Sequence, residues 1–183
     1  MIFRLFPGNR QEATIKALYG AIVAQARMPV FYRDYGVPDT VNGRFDMIVL
    51  HLALFLDRVE VESAATRTQG QAVFDLFCRE MDGHLREAGI SDLKVPKEMQ
   101  QMGQAFYGRQ GVYREALAAP GNVTLAEALA RNIYPEVTNA KAGAERLAAY
   151  VRTAAQSLSR QTDLEQGQLA WPDPHAVPAE AAG

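Results

Sequence analysis

Three histidines, one cysteine and 21 carboxylate side chains are the groups in this chain best suited to catalysis or metal binding. His51 lies between Leu50 and Leu52 in the most apolar stretch. An imidazole there can ligate haem iron or move a proton near neutral pH. It can equally be a core histidine bonded to a backbone carbonyl or a neighbouring side chain, since partial or full burial is common for this residue. The structural role is the expectation. His84 follows Asp82-Gly83 near the end of a helical stretch, where a cation meets the negative end of the helix dipole, so a structural role suffices there too. Cys78 stands between Phe77 and Arg79 with no obvious partner and reads as an inert buried thiol. A single cysteine excludes an internal disulfide and a multi-cysteine zinc site. Asp75, Glu80 and Asp82 do not form a Glu-x-x-His ligand pattern, and no phosphate-cradling glycine loop, dinucleotide fingerprint or nucleophile elbow occurs. The residues therefore predict no catalytic site, no metal and no cofactor.

Groups suited to recognition are more informative. Asp82 and Arg86 are four apart and can pair across one helical turn. Phe106-Tyr107-Gly108-Arg109 sets two aromatics and a cation beside a flexible point, and aromatic and Arg side chains supply much of the energy of protein contacts. If the helices carrying these two groups pack as an antiparallel hairpin, Asp82, Arg86, Phe106, Tyr107 and Arg109 make one partner-binding face. The rival reading for Phe106 alone is closure of the core, and it is the preferred one. Met47, Met81, Met99 and Met102 suit either an adaptable groove or plain core filling.

Charge is unevenly spread. The whole chain of 183 residues carries 19 Lys+Arg and 21 Asp+Glu, a net charge of −2, which argues against a generally basic nucleic-acid-binding surface. Residues 1–33 hold five basic side chains and one acid, net +4; residues 161–183 hold four acids and no Lys or Arg, net −4. Arg4 and Arg10 are the expected contacts of the basic end with a membrane or ribosome surface. The alternative is an ordinary solvated helix.

The elements that must position these groups are helical. Apolar side chains at 48% and charged ones at 22% suit a globular domain. Ile15, Leu18, Ile22 and Ala26 predict a first helix over about 11–27, followed by a packed aromatic connection over 30–38. A second helix over about 39–61, capped by Asp39 or Thr40, is apolar nearly all round and should be the buried centre of a bundle. A polar connection over 63–70 leads to a third helix over about 71–88, which Gly89 ends in a left-handed turn. A fourth helix starts near Pro96 and reaches about Ala119, with a kink or break expected at Gly108 to Gly111. Thr124 and Glu127 form a capping box for a fifth, and Thr138 or Asn139 caps a sixth. The result is one all-α domain of about six helices over 1–160, with an extended, partly disordered acidic C-terminal tail over 161–183. No stretch approaches the roughly 20 apolar residues of a bilayer span, and no secretory signal is seen, so a cytoplasmic protein is expected, with a peripheral place at the inner membrane left open.

Several segments, taken in order, resemble the ubiquinol–cytochrome c chaperone family. They are Pro38-Asp39-Thr40, Phe45 and Ile48 to Leu52; Phe74 to Gly89, with Asp82 and Arg86; Lys97 to Arg109; Leu125 to Tyr134; Leu147 to Val151; and Gly167 with Trp171-Pro172. The resemblance implies a non-enzymatic helical chaperone that binds newly made cytochrome b and assists assembly of the bc1 complex. With no long N-terminal targeting extension, the chain looks like a bacterial member. The family supplies no catalytic residue to carry over. The competing expectation is a helical carrier holding haem, quinone or lipid in a closed apolar cavity; a third is a helical enzyme using His51 or His84. An open groove favours the chaperone and a closed pocket the carrier.

Overall fold

The computed structural model describes residues 7–177, with side chains from Arg10 onward. Seven α-helices follow in order: α1 Pro7–Ala26, α2 Pro29–Arg33, α3 Val41–Glu60, α4 Ala64–Glu87, α5 Val95–Ala118, α6 Val123–Ile133 and α7 Lys141–Ser159. Six are long; α2 is a five-residue piece formed inside the aromatic connection, where Pro29 at its first position pre-sets the helical φ. No strand occurs among the described residues, and none of their helices is long and apolar enough to cross a membrane.

The most apolar helix is the central one. Every residue of α3 from Asp46 to Phe55 is buried, and α3 packs against α1, α4, α5, α6 and α7. Thr40 starts it, its hydroxyl accepting the Gly43 amide at 3.1 Å. Met47 and Met81 fill the core, while Met99 and Met102 pack partly buried against it. The methionines therefore do not line one groove. Gly89 ends α4 with φ 83°, as a left-handed stop requires.

Four local expectations are corrected. Helix α4 begins at Ala64, because Ser63 caps the Thr66 amide at 3.2 Å and the polar first turns are held by burial of Thr66 and Gly70. Helix α5 runs unbroken through Gly108 and Gly111, where nothing crowds the backbone and the neighbouring turns carry the packing. Helix α6 starts one residue before Thr124, with Asn122 at its cap position and no side-chain cap; α7 likewise starts after Ala140 without one, Asn139 instead taking φ 66° in the turn. The carbonyls at the end of α5 are met from α7, where Arg152 donates to Leu117 O at 3.1 Å and Ala119 O at 3.2 Å.

Beyond α7 the chain is extended, with 3-10 turns at Leu164–Gln166 and Pro174–Ala176. This strap lies against the bundle. Leu164, Pro174 and Val177 are buried, Tyr35 donates to Pro174 O at 2.7 Å, and the Glu165 carboxylate accepts the Thr66 and Ser63 hydroxyls at 2.7 and 2.8 Å. Those hydroxyls hold the Glu165 carboxyl below its usual range.

Candidate functional site

Helices α4 and α5 form the expected hairpin, and its aromatic residues sort by helical phase. Phe106, Gln110 and Tyr113 face inward and are buried, at spacings of four and three. Phe106 closes the core, 5.0 Å centroid to centroid from Phe74 of α4. Tyr107, one residue on, turns outward. It is 57% exposed yet keeps one edge on Phe74, at 5.6 Å.

Arg109 is not a free contact. It pairs with the largely buried Asp46 of α3, one turn before Tyr113. Burial pushes the Asp46 carboxyl up, and the guanidinium only partly offsets this. Replacing Arg109 with Glu should set two carboxylates against each other and cost about 2 kcal/mol, between the values for exposed and buried pairs. Urea melts measure it; an unchanged midpoint contradicts the pairing.

Asp82 and Arg86 pair as their spacing predicts, at 2.6 Å, and Arg86 also binds Asp92 in the hairpin turn. They lie eight residues or more beyond Phe74, roughly 12 Å along the helix. They therefore mark the hairpin tip, next to the 93% exposed Leu93, and not the neighbourhood of Tyr107. Arg10 is exposed on α1; Arg4 is outside the described residues.

What does surround Tyr107 is a groove of about 430 Å3, open to solvent, where α3, α4 and α5 meet. Leu56, Val59 and Phe74 give it an apolar floor; Arg67, Gln110 and Arg114 give it a polar rim. The close approach of α4 depends on Gly70, whose missing Cβ would lie 2.5 Å from a Val59 methyl. The rim is fixed: Gln110 donates to Asp57 at 2.7 Å, and Arg114 binds Asp57 and Glu60, each at 2.6 Å. Asp57, Gln110 and Arg114 had no signal as single residues. Their phase did carry one, since Tyr107, Gly111 and Arg114 recur at four and three on the face beside the Phe106 stripe.

His51 lies elsewhere, fully buried in a polar chain. Gln25 Nε2 donates to the Tyr150 hydroxyl at 3.0 Å, that hydroxyl donates to His51 Nε2 at 2.9 Å, and His51 Nδ1 donates to Met47 O at 2.8 Å. A carbonyl can only accept, so Nδ1 carries a proton. Phe31 and Trp171 pack edge-on against the imidazole, with centroids at 5.6 and 5.0 Å. Burial without a nearby anion pulls its pKa down to about 4. The space beside this ring is filled by protein. His84 is exposed in the last turn of α4, and Cys78 is half-buried, its thiol pushed up by burial. Among the described residues no three His, Cys, Asp or Glu side chains are grouped to hold a metal ion.

A family model described as ubiquinol-cytochrome C chaperone matches residues 33–171. The chain is similar to ubiquinol-cytochrome c reductase complex assembly factor 1 of Drosophila melanogaster, 26% identical over 88% of this chain and 65% of that protein, just under two thirds of its length. The Xenopus laevis assembly factor 1 is 25% identical over 89% of this chain and 84% of its own. Among solved structures, the Cbp3 homolog from Brucella abortus superposes with a TM-score of 0.88 at 38% identity, covering 97% of this chain and 100% of that one.

Proposed function

The chain belongs to the ubiquinol-cytochrome c chaperone family, and from that premise we propose that it is a non-enzymatic assembly chaperone that binds newly made cytochrome b on the way to the ubiquinol–cytochrome c reductase complex. A subunit of that kind exposes long apolar helices that aggregate in water. The observation that carries the binding mode is the Tyr107 groove, an apolar floor with fixed polar groups on its rim, open along one side. Such a groove suits the apolar face of a single helix. The hairpin tip, with exposed Leu93 beside Arg86 and Asp82, lies apart from this groove. Arg10, together with Arg4, would bring the complex to an anionic membrane or ribosome surface.

Tyr107 is the anchor of this reading. Its ring is half out of the fold, so truncation should remove binding energy with little loss of stability. Tyr107→Ala should lower the cytochrome b that co-purifies with tagged protein from its own cells by about 30-fold, the effect of a contact worth 2 kcal/mol. The thermal midpoint should stay close to that of the native chain. Undiminished capture, or a collapsed fold, contradicts the placement.

A further inference from the structure

A second cleft, beside the first turn of α3, shares no lining residue with the Tyr107 groove. It has a volume of about 450 Å3 and is lined by Arg27, Pro29, Tyr32, Arg33, Asp39 and Arg44. The path of the chain makes it. Helix α1 ends at Ala26, Pro29 restarts the chain as α2, and the loop from Asp34 returns it to the Thr40 cap of α3. Gly43 lets α3 begin directly against that loop, since a Cβ there would lie 2.0 Å from the Pro38 carbonyl oxygen. Three guanidiniums from α2, α3 and the end of α1 are thereby drawn to one cleft.

Their charges are not all matched. Arg33 spends Nε and Nη2 on Asp34, and Arg44 spends Nε on Asp39, at 2.7 Å. Each guanidinium has five N–H donors, so both retain several. Arg27 lines the cleft and makes no side-chain hydrogen bond or ion pair among the described residues. Among the described residues the two carboxylates are thus each taken by one cation, and a third cation is left over. Oxygens of a phosphate ester match this donor set in both charge and geometry.

The surroundings favour a lipid as the carrier of that phosphate. Val41 is 85% exposed and sits one turn before Arg44 on the same side of α3, an apolar side chain next to the cations. Pro29 and the Tyr32 ring add apolar wall, the Tyr32 hydroxyl being turned away to the Ala26 carbonyl at 2.7 Å. Cations flanked by an exposed apolar tip suit the boundary between headgroups and acyl chains. A single-strand RNA track would instead need a row of free aromatic faces along an extended groove. We propose that this cleft binds the phosphate of an anionic lipid headgroup, with Arg27 and Arg44 as its principal donors.

Vesicle sedimentation at low salt tests it, with phosphatidylglycerol in phosphatidylcholine against phosphatidylcholine alone. The native chain should bind only the anionic vesicles. Arg27→Gln and Arg44→Gln should each weaken binding at least about fivefold, by the loss of about 1 kcal/mol for one basic group at the surface. Arg131→Gln, the same charge loss at an exposed position on α6, should change it less than twofold. Arg27→Gln removes no partner among the described residues, so it stays informative if Arg44→Gln lowers the melting temperature. Equal loss in all three variants, binding to neutral vesicles, or saturable binding of inorganic phosphate or RNA without vesicle binding overturns the proposal. No cytochrome b is present in this assay, so it and the chaperone reading can fail separately.

Discussion

Acidification from pH 7 to pH 4 destabilises this protein by roughly 3 kcal/mol through one imidazole. In the unfolded chain His51 takes a proton near pH 6.5; in the fold its pKa is about 4. Below 6.5 the unfolded state binds the extra proton, so stability falls as pH falls and stops falling on this account only near pH 4. The difference of about 2.5 pH units corresponds to roughly 3 kcal/mol. The chemistry explains why no compensation is at hand. A protonated ring would donate from both nitrogens, yet Tyr150 already donates toward Nε2 while accepting from Gln25, and no carboxylate faces the site. For a chain of this length the thermal midpoint should drop by about 6–12 °C on account of this group. His51→Gln should lower stability at pH 7, and its melting curve should converge on that of the native chain as the pH approaches 4. Parallel pH profiles would show that His51 is not the group responsible.

Ending the chain after Arg160 should have a still larger effect. The strap contributes the buried Leu164 and Val177 and the Trp171 ring, together worth about 5 kcal/mol by area removed from water. That is a third or more of the stability of an ordinary domain. Gln25 and Tyr35 would lose their acceptors at Pro172 O and Pro174 O, and Ser63 and Thr66 would lose Glu165. Urea unfolding of the shortened chain should show a midpoint far below that of the full one. The two effects are linked through Trp171, which walls off His51; opening that wall to water should raise the imidazole pKa and flatten the acid response. A shortened chain with an unchanged midpoint would mean that the strap only decorates the bundle.

The helices were legible because apolar residues recur at three and four, and α3 announced its central place by being apolar nearly all round. The start of α4 was hidden, since Ser63 to Gly70 is polar and is held by Thr66 meeting Glu165 and by Gly70 meeting Val59, contacts between distant segments. Thr124 and Glu127 imitate a capping box, but the helix begins before them. Prolines and acids foretold an extended C-terminal segment; that it seals the His51 pocket depends on Trp171, which composition alone does not place. The partner face was half visible. Local sequence grouped Phe106, Tyr107 and Arg109, whereas helical phase separates them into a core ring, an exposed ring and an ion pair. Phase applied to α5 alone would have set Tyr107 with Arg114. The α3 and α4 residues of the groove needed the tertiary structure.

On the proposed function, cytochrome b occupies the Tyr107 groove while it awaits assembly. Site-specific photocrosslinking in the native cells tests it most directly, with a photoreactive side chain at position 107 and, as comparison, at exposed Glu136 beyond α6. Irradiation should yield an adduct containing cytochrome b from position 107 and none from position 136. No cytochrome b adduct from position 107, or equal yields from the two positions, would contradict the account.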